Sequence, residues 1–203
     1  MFFAVFYRKT LLRIVTSPKV EHKSFQNGDL IFQTSLSSQS QAIQLATNSK
    51  YSHCGLVYEK NGKFFVFEAI QPVKNTPLED WIVRGKDGKF VLKRLVDSDK
   101  ILTPPVLFKM KAVGEKFAGK NYNLTFEWSD ENIYCSELIW KIYKRAAGIE
   151  IGKLEKLKDF NLDNPAVKAK LQERYGTNIP KDEKVISPAA IFESDLLMTV
   201  AAN

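Results

Sequence analysis

Side chains that could act as nucleophile or base are scarce in this chain, which contains two cysteines, Cys54 and Cys135, and two histidines, His22 and His53. These are too few for a disulfide framework or for a closed Cys/His zinc site. They can supply a cysteine nucleophile and a histidine base. With a third polar group to orient the base, that is the minimal set for acyl transfer through a thioester. Such chemistry requires neither a metal nor a cofactor, and we expect none.

A predicted β-hairpin around Asn61-Gly62 places a carboxylate beside His53. Asn-Gly is the preferred pair for a two-residue turn, and β-rich runs flank it on both sides. Because side chains alternate along a strand, the register set by this turn makes His53 and Glu68 diagonal neighbours on one face. Cys54 falls on the opposite face, and we interpret it as a small buried hydrophobe. The alternative is structural, a satisfied core histidine and a charge at the strand edge, although a buried glutamate needs a partner.

Cys135 lies near the start of a predicted helix. The segment from Ser129 begins with acidic residues, continues with apolar residues at three-and-four spacing, and ends at Gly148. Free backbone N–H groups and the helix dipole favour a thiolate at such a position, and the thiolate is the nucleophilic form. A buried structural cysteine is the alternative.

A family resemblance adds to these local patterns. It rests on short motifs between roughly residues 25 and 195: Gly28-Asp-Leu-Ile-Phe, Tyr51-Ser-His-Cys-Gly, Val66-Phe-Glu-Ala, Gly119-Lys-Asn-Tyr122 and Tyr134-Cys-Ser-Glu-Leu. Together they resemble the YiiX-like proteins, a circularly permuted branch of the NlpC-type papain-like cysteine hydrolases. The resemblance implies an α+β fold in which an antiparallel sheet or half-barrel packs against the helix that carries the nucleophilic cysteine. In the permuted order, the strand pair with the histidine precedes that helix.

The resemblance also implies roles for individual residues. Cys135 looks like the nucleophile, His53 like the base and Glu68 like the group that orients it. Tyr122 resembles the family tyrosine whose hydroxyl helps to form the oxyanion site; otherwise it would be a core aromatic with its hydroxyl satisfied locally. Cys54 departs from the small polar residue expected there, and we expect that change to affect packing rather than chemistry.

The function implied is a cysteine amidase or peptidase that acts on a peptide or cell-wall-peptide amide. Acyl transfer or ester hydrolysis on lipid acyl groups is an alternative, because other permuted relatives act on acyl lipids. A binding module that keeps the cleft and has lost the chemistry is another. The resemblance favours the cell envelope or periplasm, and the oligomeric state stays open.

Length and composition predict one compact domain, since the chain has 203 residues of which 44% are hydrophobic. We place this hydrolase domain at 25–203 and a separate N-terminal segment at 1–24. The short apolar run of that segment predicts a packed helix or strand, or a weak membrane anchor that makes peripheral contact through its basic residues. Ser38 and Gln41 fit a capping box at the start of a helix.

The net charge of +7 raises the question of an anionic partner. No basic-aromatic repeat or binding motif supports a specific nucleic-acid binder. Part of the charge belongs to a Lys-rich stretch at about 153–184, which we interpret as an amphipathic, mostly helical insertion with its lysines in solvent. Alternatively, this insertion covers the active-site cleft or holds an anionic substrate.

Overall fold

The computed structural model describes residues 24–203. Residues 1–23, including His22 and nearly all of the predicted N-terminal segment, lie outside the described residues. The strands are β1 (Leu30–Gln33), β2 (His53–Lys60), β3 (Lys63–Glu68), β4 (Lys74–Pro77), β5 (Val91–Leu95), β6 (Glu155–Lys156), β7 (Lys184–Val185) and β8 (Leu197–Ala202). The helices are α1 (Ser38–Thr47), α2 (Leu78–Arg84), α3 (Ser98–Ile101), α4 (Pro104–Glu115), α5 (Cys135–Ala147), α6 (Pro165–Tyr175) and α7 (Pro188–Phe192). Among these helices, none is long and apolar enough to cross a membrane.

One antiparallel sheet dominates the fold, with the strand order β4-β3-β2-β1-β5-β8. The predicted hairpin register is confirmed, because Lys60 pairs with Lys63 and Leu56 with Phe67. Asn61 and Gly62 both have positive φ, at 54° and 75°, as a tight two-residue turn between twisted strands requires. The strand that carries His53 is therefore locked to the strand that carries Glu68.

The two faces of the sheet bury two separate hydrophobic cores. The first, the α5 core, packs one face against α5, and its members include Phe32, Cys54, Leu56, Phe67, Cys135, Leu138 and Ile142. The second, the α2 core, packs the other face against α2, and its members include Ile31, Val57, Val66, Leu78, Trp81, Ile82 and Leu92. Because side chains alternate along β2, consecutive residues of that strand belong to different cores.

Helix α5 begins at Cys135, as the sequence predicts, and ends where Gly148 adopts a left-handed conformation at φ 74°. Every residue from Cys135 to Tyr143 is buried. The first turns of this helix are therefore buried in the protein.

The start of α1 differs by one residue from the predicted capping box. Ser37, rather than Ser38, is the N-cap: its backbone is extended, and its side chain accepts a hydrogen bond from the N–H of Ser40. In a run of serines, each hydroxyl could serve as the cap, so the choice depends on which residue first adopts helical angles.

The Lys-rich insertion is less helical than predicted. Only α6, an 11-residue helix, is α-helical between 153 and 184. It begins after the N-cap Asn164, with Pro165 in its first turn, and ends at Gly176, so turn residues limit it at both ends. Before it lie strand β6, which pairs with β7, and a single 3₁₀ turn. The insertion packs on α1 through a small apolar cluster made of Leu157, Val167 and Leu171 with Leu45, Ala46, Phe160 and Leu162.

Candidate active site

His53 and Glu68 form the buried hydrogen bond that the hairpin register predicts. The Nε2 of His53 lies 2.5 Å from an Oε atom of Glu68. Glu68 is inaccessible to solvent, and His53 is 7% exposed. The side chain of Val66 fills the space beside Gly55, since a Cβ atom at this position would lie 2.2 Å from Val66.

Glu68 accepts hydrogen bonds from three further side chains. These donors are Thr76 Oγ1 at 2.6 Å, Trp81 Nε1 at 2.9 Å and Arg84 Nη2 at 2.5 and 2.6 Å from the two oxygens. Burial alone would raise the pKa of Glu68, but the hydrogen bond and charge of His53, with Arg84 and Thr76, lower that pKa to about 2. The group beside the histidine is therefore a carboxylate throughout the physiological range.

His53 is held as a cation between two anions. Burial acts to lower the pKa of His53, but its hydrogen bonds with Cys135 and Glu68 and the charges of both groups raise that pKa to about 9. The indole of Trp81 stacks on the imidazole, with ring centroids 5.9 Å apart. Because Glu68 occupies Nε2, Nδ1 is the ring nitrogen left for Cys135.

Cys135 is 2% exposed and its thiolate is stabilised. The hydrogen bond from the side chain of Cys54 is the largest cause that holds the pKa of Cys135 well below its usual range. Burial opposes this shift, while the hydrogen bond and charge of His53 and the backbone N–H of Cys54 assist it. The lowered pKa of Cys135 and the raised pKa of His53 favour a thiolate–imidazolium pair, the reactive state of a cysteine nucleophile.

Cys54 is buried in the α5 core, as the sequence predicts, and it also lies beside Cys135. The register correctly places its side chain on the face opposite His53. However, Cys135 packs against that same face, so Cys54 donates a hydrogen bond to the thiolate instead of serving only as a small hydrophobe. Burial and the nearby negative charge raise the pKa of Cys54, which keeps its proton available for donation.

A largely apolar cavity opens beside the start of α5, and Tyr122 and Cys135 both line it. The hydroxyl oxygen of Tyr122 accepts a hydrogen bond of 3.1 Å from Gln39 Nε2, so the hydroxyl hydrogen remains free to donate to another group. Burial, followed by the charge of Cys135, raises the pKa of Tyr122 well above its usual range, and the phenol therefore stays protonated. The structure thus brings together all four residues singled out from the sequence.

Sequence reasoning missed Thr76, Trp81 and Arg84 as partners of the site, and it considered Gln39 only among the polar residues at the start of α1 that could line a pocket. Thr76 reaches Glu68 because β4 pairs with β3, and Trp81 and Arg84 do so because they are three residues apart on one face of α2. That spacing is visible in the sequence, but nothing local connects it to Glu68.

Comparisons with known proteins agree with this arrangement. The family model described as "Permuted papain-like amidase enzyme, YaeF/YiiX, C92 family" matches residues 24–201. A protein of Escherichia coli strain K12, "Uncharacterized protein YiiX", is 49% identical over 176 residues, which are 87% of this chain and 86% of that protein. A crystal structure described as metalloprotein YiiX from Escherichia coli O157:H7 has a TM-score of 0.83 and 49% identity, and covers 88% of this chain and 97% of that one.

That structure is described as a metalloprotein, and a metal site in a protein needs several ligating side chains close together. Within residues 24–203, no three or more His, Cys, Asp or Glu side chains are grouped so that they could hold a metal ion. The donor set of these residues does not fit a metal.

The matches confirm the predicted α+β, permuted papain-like fold. They extend over the antiparallel sheet and over α5, and the histidine strand precedes the cysteine helix in the chain. The chain belongs to the YaeF/YiiX family of permuted papain-like amidases.

Proposed function

We propose that the protein is a cysteine amidase or peptidase in which Cys135, His53 and Glu68 act as nucleophile, base and orienting carboxylate. The observation that carries this proposal is the buried His53–Glu68 hydrogen bond beside Cys135 at the start of α5, where His53 also lowers the pKa of Cys135. The family supplies the general class, a papain-like amidase. The roles of the three residues follow from their protonation states and contacts.

The reaction begins from the thiolate–imidazolium pair. The Sγ of Cys135 attacks the substrate carbonyl carbon, and the hydroxyl of Tyr122 and the backbone N–H of Cys135 stabilise the oxyanion that forms. As the C–N bond breaks, the imidazolium of His53 gives its proton to the leaving amine. Neutral His53 then removes a proton from water, the resulting hydroxide attacks the thioester, and the S–C bond breaks. The carboxylic acid leaves and the thiolate is restored.

Glu68 acts through His53 in this scheme. Its hydrogen bond to Nε2 fixes the ring orientation and stabilises the imidazolium. Trp81 and Arg84 hold the carboxylate oxygens in turn, which limits the rotation of Glu68 away from the ring.

The direct test is the variant Cys135→Ala. It should abolish both hydrolysis of amide substrates and labelling by a thiol-directed acyl probe, because Cys54 is buried and keeps its proton. The variant Cys54→Ala should still be labelled at Cys135, which identifies the labelled thiol. Hydrolysis that persists in Cys135→Ala would refute the mechanism. A Cys135 pKa near the ordinary value of about 8.5, measured from alkylation rates, would favour a non-catalytic binding module.

A further inference from the structure

The segment that begins with Tyr122, residues 122–128, lies between α4 and α5 and includes a strained residue. Phe126 has φ 52°, in the left-handed region that a bulky side chain rarely adopts. Asn123 closes the loop before it, because its Oδ1 accepts hydrogen bonds from the N–H and the hydroxyl of Thr125, both at 3.0 Å. A conformation of this kind persists only where the surrounding structure holds it.

Helix α6 of the Lys-rich insertion contacts this Tyr122 segment at the strained residue. The hydroxyl of Tyr175 donates a hydrogen bond to the carbonyl of Thr125. The guanidinium of Arg174 lies 5.1 Å from the centroid of the Phe126 ring. Two consecutive side chains of α6 therefore act on two consecutive residues of the Tyr122 segment.

The other end of the insertion contacts the same segment. Glu183, just before β7, accepts a hydrogen bond of 2.9 Å from the N–H of Trp128. The Nζ of Lys184 lies 4.5 Å from the centroid of a Trp128 ring. The Tyr122 segment is thus bound by two separate parts of the insertion.

Both proposed oxyanion donors are connected to the Tyr122 segment. Tyr122 is its first residue and forms a β-bridge with Ile133, two residues before Cys135. The ring of Phe126 packs edge-on against Tyr134, the N-cap residue of α5, with ring centroids 5.1 Å apart. A shift of the segment would therefore move the hydroxyl of Tyr122 relative to the backbone N–H of Cys135.

We propose that Tyr175 is a positioning residue, which holds the Tyr122 segment in the conformation that directs the hydroxyl of Tyr122 towards the oxyanion. Arg174 is its second support. This inference rests on the proposed function and adds the Lys-rich insertion to the site. Both contacts act where the backbone is strained, so the loss of either one lets the segment relax and displaces the Tyr122 hydroxyl.

The test compares two reactions of the Cys135 thiolate. Acylation by p-nitrophenyl acetate passes through an oxyanion, whereas alkylation by iodoacetamide does not. Tyr175→Phe should slow acylation, measured as the burst of p-nitrophenolate, by roughly tenfold, because a displaced oxyanion donor loses part of the 10²-fold to 10³-fold effect of a removed one. The alkylation rate should be unchanged. An unchanged acylation rate, or an equal slowing of both reactions, would overturn the proposal.

Two controls accompany this comparison. Cys135→Ala gives the background from other nucleophiles, which is subtracted. Tyr58 is half-buried, as Tyr175 is, but lies on β2 close to the hairpin turn. Tyr58→Phe removes the same hydroxyl group from a similar setting and should leave both rates unchanged.

A double variant shows whether Tyr175 acts through Tyr122. Tyr122→Phe should slow acylation by roughly 10²-fold. Adding Tyr175→Phe should slow it further by less than about twofold, because the hydroxyl that Tyr175 positions is already absent. Losses that multiply would assign Tyr175 a general structural role and overturn the proposal. Arg174→Met, which removes the guanidinium from the Phe126 ring, supplies the same comparison if Tyr175→Phe does not fold.

These measurements separate the positioning role from the proposed amide hydrolysis, because both reagents react with Cys135 whether or not an amide is cleaved. If no amide is hydrolysed but Tyr175→Phe slows acylation alone, the positioning role stands and the proposed reaction fails. If amides are hydrolysed with the same kcat in Tyr175→Phe and in the unchanged protein, the reaction stands and the positioning role fails.

Discussion

Two neighbouring residues of β2 act on the Cys135 thiolate from different sides. His53 supplies a positive charge and a hydrogen bond, and Cys54 supplies a hydrogen bond from its thiol and another from its backbone N–H. The result is a buried anion with several donors, an arrangement that lowers a thiol pKa despite the cost of burial. Cys54 is therefore a positioning and tuning residue in this site.

The role of Cys54 predicts a pH effect. Removing its thiol in Cys54→Ala should raise the pH midpoint for alkylation of Cys135 by roughly one to two units, since a hydrogen bond to a charged group is lost. Cys54→Ser keeps a hydroxyl donor and should shift the midpoint less. The measurement is the rate of iodoacetamide labelling against pH, with His53 and Glu68 unchanged. An identical midpoint in all three proteins would show that the thiol of Cys54 has no influence on Cys135.

The raised pKa of His53 predicts the pH at which kcat/KM should fall on the alkaline side of the pH profile. Because the imidazolium has to protonate the leaving amine, kcat/KM should fall as pH rises through about 9, the raised pKa of His53. In Glu68→Gln, the carboxylate charge that helps to raise this pKa is lost, so the limb should move towards the ordinary histidine value of about 6.5. A limb at the same pH in both proteins would contradict the coupling between the two residues.

At the level of elements, α2 supports the carboxylate of Glu68 with hydrogen bonds from two of its side chains. Trp81 is completely buried and contacts both His53 and Glu68, whereas Arg84 reaches the same carboxylate from a side chain that is 41% exposed. One helix of seven residues therefore holds the carboxylate of Glu68 beside His53.

The contact from α2 predicts a selective effect on turnover. Arg84→Met keeps the packing of the side-chain stem but removes two hydrogen bonds to Glu68. We expect kcat to fall by roughly tenfold to 10²-fold with little change in KM, because the histidine loses its fixed orientation. Lys86→Met removes an exposed cation just beyond α2 and should leave both constants unchanged. A rise in KM alone in Arg84→Met would assign Arg84 to substrate binding.

Local signals explain which elements could be predicted from the sequence. The Asn61-Gly62 turn sets the register of β2 and β3, and acidic and glycine residues bound α5, so the His53–Glu68 pair and the position of Cys135 followed from short-range rules. The contacts from β4 and α2 depend on tertiary packing, for which neither turn residues nor periodicity gives a signal. The same is true of Cys54, whose role depends on which face α5 covers.

In the Lys-rich insertion, the sequence predicted more helix than the structure contains. Its apolar residues suggested helical spacing, but turn residues around Asn164 and Gly176 confine the helix to 11 residues. The remaining apolar side chains pack on α1 from segments without helical structure. Apolar residues can form such a buried cluster without the regular spacing of a helix.

At the scale of the whole molecule, the buried carboxylate couples the site to acid stability. The pKa of Glu68 is about 2 in the folded protein against an ordinary 4.5, so its contribution to the free energy of unfolding is present above pH 4.5 and is lost as pH falls towards 2. The size of this contribution is on the order of 3 kcal/mol.

A comparison of the protein with Glu68→Gln should show this contribution directly. The difference between their free energies of unfolding, measured by urea titration, should be largest near neutral pH and should shrink between pH 4.5 and 2. A difference that stays constant across this range would mean that Glu68 does not change its pKa on folding.

The division of the site between the α5 core and the α2 core has a consequence for how the chain can be organised. His53 and Glu68 lie early in the chain and contact α2, whereas Cys135 belongs to a later helix that packs on the other face of the sheet. The contacts between these two groups in the site are noncovalent. They therefore do not depend on which group comes first along the chain. A gene could therefore encode the two halves in either order, and the permuted order of this chain is compatible with the same arrangement of reacting groups.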